Sequence, residues 1–354
     1  MEQDWLLQSL YSVIQENPGF DLDTVDIESL VSRVIENTLP INAELLLGSL
    51  KGNAVEMLEE HRLFRMEFEE RLQRRWSKPL NLLETLLVIS SESGESCYNS
   101  CFEKAEEEKN TVFKVMVKIH ARACQISYEI LCLLRGGFAD GAMSRWRTLH
   151  ELSVLGLFIK QKGNEVAKMY LDYEYIERYY EMLEYIQHAP KLGYEALSKE
   201  EIDNLTNIKN ELVSKYGPGY EKSYGWTMKV LPKKERNFKG LEKNIQLDHL
   251  RPYYKLASNY VHLGPKASSF SLGVVNGSKI LLAGASNYGL ADPGQNTCIS
   301  LNQITTELLT LYPTYERLMI TKVMSLLLDE ICESFVEIQK EIECEEFAVK
   351  YEDE

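Results

Sequence analysis

The stretch TVFKVMVKIHARACQISYEILCLLRGGFADGAMSRWRTLHELSVLGLFIKQKG, residues 111–163, decides the fold. Val112, Met116, Ile119, Ala123, Ile126, Ile130 and Leu133 recur at alternating steps of four and three, the spacing that lines one face of an α-helix. A helix is expected to start at Asn110 or Thr111 and to end at Gly136 and Gly137. A second helix is expected over 139–162, stopped by Gly163, because glycine closes a helix in a backbone conformation that other residues resist. Two helices joined by so short a glycine link fold back on each other, and this pair is the expected core. The helical pattern extends outward from it. Upstream it covers 4–17, 23–37 and 44–76, punctuated by Pro18, Pro40 and Pro79; downstream it covers 165–189 and 300–346, the last kinked or broken at Pro313.

One region departs from that period. Between 264 and 295 the chain is rich in glycine, and two short apolar runs, 270–275 and 278–283, flank Asn276-Gly277. Asn-Gly between apolar runs is a strong local hairpin signal, because both turn residues must take positive φ. The fold class that follows is mainly α, a multi-helix bundle with a β-hairpin inserted near 270–283. The expected organisation is a helical extension over 1–60, a bundle domain over 61–340 and an acidic tail over 341–354.

Composition narrows the function without naming it. The 354 residues carry 39 Lys and Arg against 54 Asp and Glu, a net charge of −15, with 44% hydrophobic and 26% charged residues. That is the balance of a globular protein with a sizeable core. The longest apolar runs, such as 154–159 and 324–328, fall well short of the ~20 residues that cross a bilayer, so no membrane association is expected. An acidic start, Met-Glu-Gln-Asp-Trp, lacks the pattern of a secretion signal, and seven cysteines are an odd number, so reduced thiols and a cytoplasmic location are expected. Motifs for phosphate loops, dinucleotide binding, nucleophile elbows and His-Glu-x-x-His zinc sites are absent from the sequence. No metal and no cofactor is called for.

Three local features carry chemistry. The first is charge: 111–147 and 229–243 each hold six Lys or Arg against two acids within an acidic chain. Clustered positive charge of this kind suits a small anionic ligand better than long nucleic acid. The second is Ser144-Arg145-Trp146-Arg147-Thr148-Leu149-His150-Glu151. It sets Arg147, His150 and Glu151 on one side of a helix at positions i, i+3 and i+4, with Arg145 beside them. The third is the run from Arg251 through Lys255, Ser258 and Asn259 to His262, which ends just before the glycine-rich region. A histidine there can act as general acid or base if a cation or hydroxyl stands beside it. Both constellations also read as buried polar networks that fix how helices pack.

Three motifs together resemble an uncharacterised bacterial family of helical proteins, domain of unknown function five-six-seven-seven. They are Phe68-x-x-Arg71-Leu72-x-x-x-Trp76-x-x-Pro79-Leu80 with Glu95 beyond it, Gly136-x-x-x-x-Gly141-Ala142-x-x-x-Trp146-Arg147-x-x-x-Glu151, and Ser258-x-x-x-His262. The resemblance covers about 60–340. The last motif also resembles the end of the catalytic helix in HEPN ribonucleases and toxins, where Arg-Asn-x-x-x-His sets arginine and histidine at a dimer interface. That resemblance implies metal-independent RNA cleavage, often in phage defence or toxin-antitoxin systems. His262 fits the pattern, whereas Ala257 stands at the arginine position and Ser258 at the asparagine position. Arg147 from the neighbouring helix is the candidate to supply the missing cation.

The expected site therefore has His262, Arg147, Glu151 and Ser258 as the catalytic group, and Arg145, His150, Arg251, Lys255 and Asn259 as contacts to RNA or a nucleotide-like anion. A homodimer, or a partner protein from a defence or toxin-antitoxin locus, goes with it. Whether the chain is an endoribonuclease or a non-catalytic helical interaction or sensor protein turns on where these side chains meet.

Overall fold

The computed structural model describes residues 27–262, 264–265, 270–275 and 281–352. Among these it is mainly helical: α1 (Ile27–Glu107), α2 (Thr111–Arg135), α3 (Ala139–Lys162), α4 (Asn164–Leu192), α5 (Lys199–Tyr216), α6 (Phe238–Asn244), α7 (Arg251–Val261), α8 (Ala291–Leu309) and α9 (Tyr315–Glu352). The chain divides into two units, Met1–Phe68 and Glu69–Glu354. In the first, the described residues belong to α1, and apolar side chains such as Leu45, Leu46, Leu50 and Val55 are exposed.

In the second unit the expected pair forms. The Asn110 side chain accepts from Phe113 N and caps α2, Gly137 takes φ 78° in the link, and Gly163 takes φ 83° after α3. Packing buries more of α2 than one stripe, adding Phe113, Val115, Leu131 and Leu134 to the predicted face, because neighbours cover it on two sides. The central element is α3, which packs against α2, α4, α6, α7 and α8. Its Trp146 is fully buried and donates its indole N–H to Ser300 Oγ on α8 at 3.0 Å. At the next layer α8 packs on α9. There Gly294 lies so close to Phe335 that an added Cβ would stand 2.3 Å from its ring.

Two expectations need correction. The described part of the helix read over 23–37 and the helix read over 44–76 belong to one helix, Ile27–Glu107, that runs through Pro40 and Pro79. From Leu72 onward that helix buries Trp76, Leu80, Leu83, Leu86 and Leu87 completely, and burial on this scale outweighs the hydrogen bond that Pro79 removes; Pro40 lies in the exposed part of the helix, and burial does not account for its place there. The segment 4–17 lies outside the described residues. The inserted β-hairpin is not seen: the described parts of 270–283 contain turns and bends and no strand, and the Asn276-Gly277 turn lies outside the described residues. The backbone there is satisfied by the helical pair instead of by a cross-strand ladder. Leu272 N donates to Asp140 Oδ1 at 2.7 Å, and Ser286 N donates to Gly137 O at 2.9 Å. As expected at Pro313, the C-terminal helical region is broken, between Leu309 and Tyr315. The stretch 341–352 continues α9, with Ile342 buried.

Two predictions follow from this packing. Gly294→Ala is expected to destabilise by about 1–3 kcal/mol in urea denaturation, since the added methyl must displace a buried ring. His120 is buried on α2 with its Nε2 3.1 Å from Thr305 Oγ1, and burial pulls it from 6.5 down to about 4. The unfolded chain takes up a proton at His120 below pH 6.5 while the folded chain does not until about pH 4. Stability is therefore fully present above pH 6.5 and falls as pH drops through that window. In His120→Asn the pH-dependent loss between pH 6.5 and 4 is expected to shrink by about 3 kcal/mol, read from urea midpoints across that range.

Candidate functional site

Three helices converge on one polar cluster. Arg147, His150 and Glu151 come from α3, Glu242 from α6, and Arg251 and Tyr254 from α7, with His262 immediately after its end. Along α7 the steps 251, 254, 258 and 262 keep Arg251, Tyr254, Ser258 and His262 on one side.

The outer half of the cluster is built around Arg147. Its Nε donates to Glu151 Oε1 at 3.2 Å, and its Nη1 lies 3.3 Å from His262 Nε2 across 115 residues of chain. A guanidinium only donates, so in this geometry Nε2 is the acceptor and the imidazole carries its proton on Nδ1. Tyr254 completes the group. Its hydroxyl donates to the same Glu151 oxygen at 2.6 Å, and its ring lies 5.0 Å from the Arg147 guanidinium carbon. Burial alone would pull Arg147 down, but the Tyr254 hydroxyl and the Glu151 carboxylate hold it above its ordinary value, and it stays a cation. Burial, then the bond to Glu151, push the Tyr254 hydroxyl up to about 12, so it remains a donor.

The inner half is a buried carboxylate with two partners. Glu242 and His150 have no exposed side-chain surface; His150 Nε2 stands 3.1 Å from Glu242 Oε1, and Arg251 Nη1 donates to Glu242 Oε2. His150 stacks on Trp146 at 5.2 Å and meets Phe238 and Tyr254 at 5.8 Å each, while its Nδ1 has no hydrogen-bond partner. Tyr254 also packs 4.7 Å from Phe238, so it touches both halves.

Each expected residue can now be placed. Arg147, Glu151 and His262 meet, and His150 and Arg251 join the adjoining buried half. Ser258 lies on the same side of α7, but its hydroxyl donates to Tyr254 O at 2.7 Å. Arg145 pairs with Glu129 of α2, away from Arg147. Lys255 is exposed and Asn259 is half-buried on α7. Ala257, at the position where the HEPN pattern has arginine, is fully buried.

The two basic stretches differ. In 111–147 the charges of Lys114, Arg135, Arg145 and Arg147 are each spent on a carboxylate. In 229–243, Lys229 pairs with Glu165 and Arg236 donates to Leu231 O and Met228 O, while Lys233, Lys234, Lys239 and Lys243 are exposed. Among the described residues, no group of three or more His, Cys, Asp or Glu is placed to hold a metal ion.

Sequence reading missed Tyr254, Glu242 and Phe238. Tyr254 was legible, since it stands one turn from Ser258 and two from His262. Glu242 was not, because one acid within a basic run gives no sign that it will be buried.

Residues 113–279 match the Family of unknown function (DUF5677), a span of just under half the chain that contains all of these groups. The match supports the resemblance to an uncharacterised family. No curated protein and no solved structure matches the chain. Among the described residues no helix is long and apolar enough to cross a membrane.

The two halves are expected to respond differently to mutation. Glu242→Ala leaves Arg251 and His150 facing a buried void and is expected to cost about 3–5 kcal/mol in urea denaturation. His262→Ala, at an exposed position, is expected to change stability by no more than about 0.5 kcal/mol.

Proposed function

We propose that Arg147 and His262 form a phosphodiester site and that the protein is a HEPN-like, metal-independent endoribonuclease. The observation that carries this reading is the 3.3 Å approach of Arg147 Nη1 to His262 Nε2. It supplies from α3 the cation that α7 lacks at Ala257. In the reaction, an incoming phosphate takes the guanidinium in place of the imidazole and frees His262 Nε2. His262 then accepts the 2′-hydroxyl proton as that oxygen attacks phosphorus. Arg147 stabilises the charge that builds on the phosphoryl oxygens. The P–O5′ bond breaks and the imidazolium returns its proton to the leaving oxygen, giving a 2′,3′-cyclic phosphate and a 5′-hydroxyl. Glu151 and Tyr254 hold Arg147 in place, and the exposed lysines at 233, 234, 239 and 243 bind flanking phosphates. The HEPN-like resemblance extends the reading to a homodimer, a cytoplasmic location and a role in phage defence or a toxin-antitoxin system.

A second reading is favoured by one observation. The Arg147 guanidinium is already engaged by Glu151, Tyr254 and His262, as in a network that only fixes helix packing. On that reading the chain is a non-catalytic interaction or sensor protein.

Incubation with total bacterial RNA in excess EDTA separates the two. Wild type is expected to cleave, and Arg147→Ala and His262→Ala are expected to lose at least about 100-fold while melting cooperatively. Absence of cleavage by wild type, together with a lowered melting temperature in His262→Ala, overturns the ribonuclease reading in favour of the second.

A further inference from the structure

A cleft of about 290 Å³ opens beside this cluster and shares Glu151 with it. Its walls are mostly aromatic, formed by Tyr170, Tyr173, Tyr224, Trp226 and Phe238. Besides Glu151 and the hydroxyls of the three tyrosines its polar side chains are Glu177 and Ser223, and no Lys, Arg, His, Asn or Gln lines it. The volume is at the low end of small-molecule pockets, about 300–1,000 Å³, and suits one planar ring system. Tyr224 is held at φ 55°, a left-handed conformation that costs a tyrosine energy and that the surrounding structure imposes. Glu177 pairs with no cation among the described residues. Partial burial, then Glu181 and Glu174 on the same helix, push its carboxyl above its ordinary value.

We infer that this cleft is a nucleobase pocket selective for guanine, with Glu177 as the group that reads the base. The register rests on the phosphodiester reading of Arg147 and His262, which puts the phosphate on the cationic side of Glu151 and the base on the aromatic side. Aromatic walls accept any base by stacking, so selectivity falls to the polar groups. Ser223 and the tyrosines bring only single hydroxyls to the cleft and Glu151 is already engaged by Arg147 and Tyr254, whereas Glu177 offers two carboxylate oxygens tied to no cation among the described residues, which suits a ligand edge with adjacent N–H groups. Guanine presents two, N1–H and the 2-amino group. Adenine and cytosine each set one amino group beside an acceptor nitrogen, and uracil sets its single N–H between two carbonyls that the carboxylate repels.

Saturation-transfer NMR and calorimetric titration of the full chain with guanosine, adenosine, cytidine and uridine test the pocket without any phosphate. Guanosine is expected to bind wild type and His262→Ala alike, in preference to the other three. Glu177→Gln is expected to lower guanosine affinity about ten- to hundredfold and abolish the preference. Equal binding of the four nucleosides, binding of none, or binding of tetramethylammonium in place of guanosine overturns the inference, the last identifying an aromatic cage for an organic cation. RNA cleavage without guanosine binding or guanine preference also overturns it and leaves the ribonuclease reading standing. Guanosine binding without RNA cleavage removes the ribonuclease reading and leaves the pocket.

Discussion

Glu242 places a carboxylate where water cannot reach it, and the geometry around the candidate site depends on how that charge is satisfied. A buried carboxylate without partners is too costly to keep. Here His150 from α3 and Arg251 from α7 each take one of its oxygens, so three helices are held in one register by a single buried side chain. If α6 and α7 separate, Glu242 loses Arg251 and a buried carboxylate is left without its cation. That penalty is what fixes the orientation of α7 against α6.

With that register set, the outer half follows. Tyr254 stands one helical turn beyond Arg251, and its ring closes over Phe238 and the Arg147 guanidinium. Its hydroxyl stays a donor far above neutral pH, so Glu151 keeps two partners and Arg147 keeps its position. His262 then lies within reach of Arg147 because α7 ends there, its N–H capped by Ser258 O. The aromatic cleft on the far side of Glu151 is walled partly by α4 and by the turn around Tyr224. Cationic and aromatic surfaces therefore adjoin across one carboxylate, the division expected where a ligand has a charged part and a planar part.

How much of this was legible follows from what each signal measures. Periodicity reports burial of one helix face, and it placed α2 and α3 to the residue at most ends, since Asn110, Gly137 and Gly163 are local backbone devices. The same local reasoning failed at Pro40 and Pro79 and in the described parts of the two runs around 270–283. The buried face of α1 beyond Leu72 overrules the break at Pro79, and the docking of 272 and 286 onto Asp140 and Gly137 replaces the expected ladder. In the site, Arg147, His150 and Glu151 were legible because they share one helix. The removal of Arg145 to Glu129 and the burial of Glu242 were not, because both depend on which element packs opposite.

The sequence by itself determined a mainly helical protein built on the 111–163 pair, and it determined which polar residues would share a face of α3 and of α7, because those facts follow from spacing along one chain. Only the tertiary structure decided that the two faces meet. It brought Arg147 to His262 across 115 residues and turned Ser258 back onto its own helix. It also buried Glu242 and opened an aromatic cleft beside Glu151. These are long-range outcomes of which apolar surfaces cover one another, and no local spacing records them.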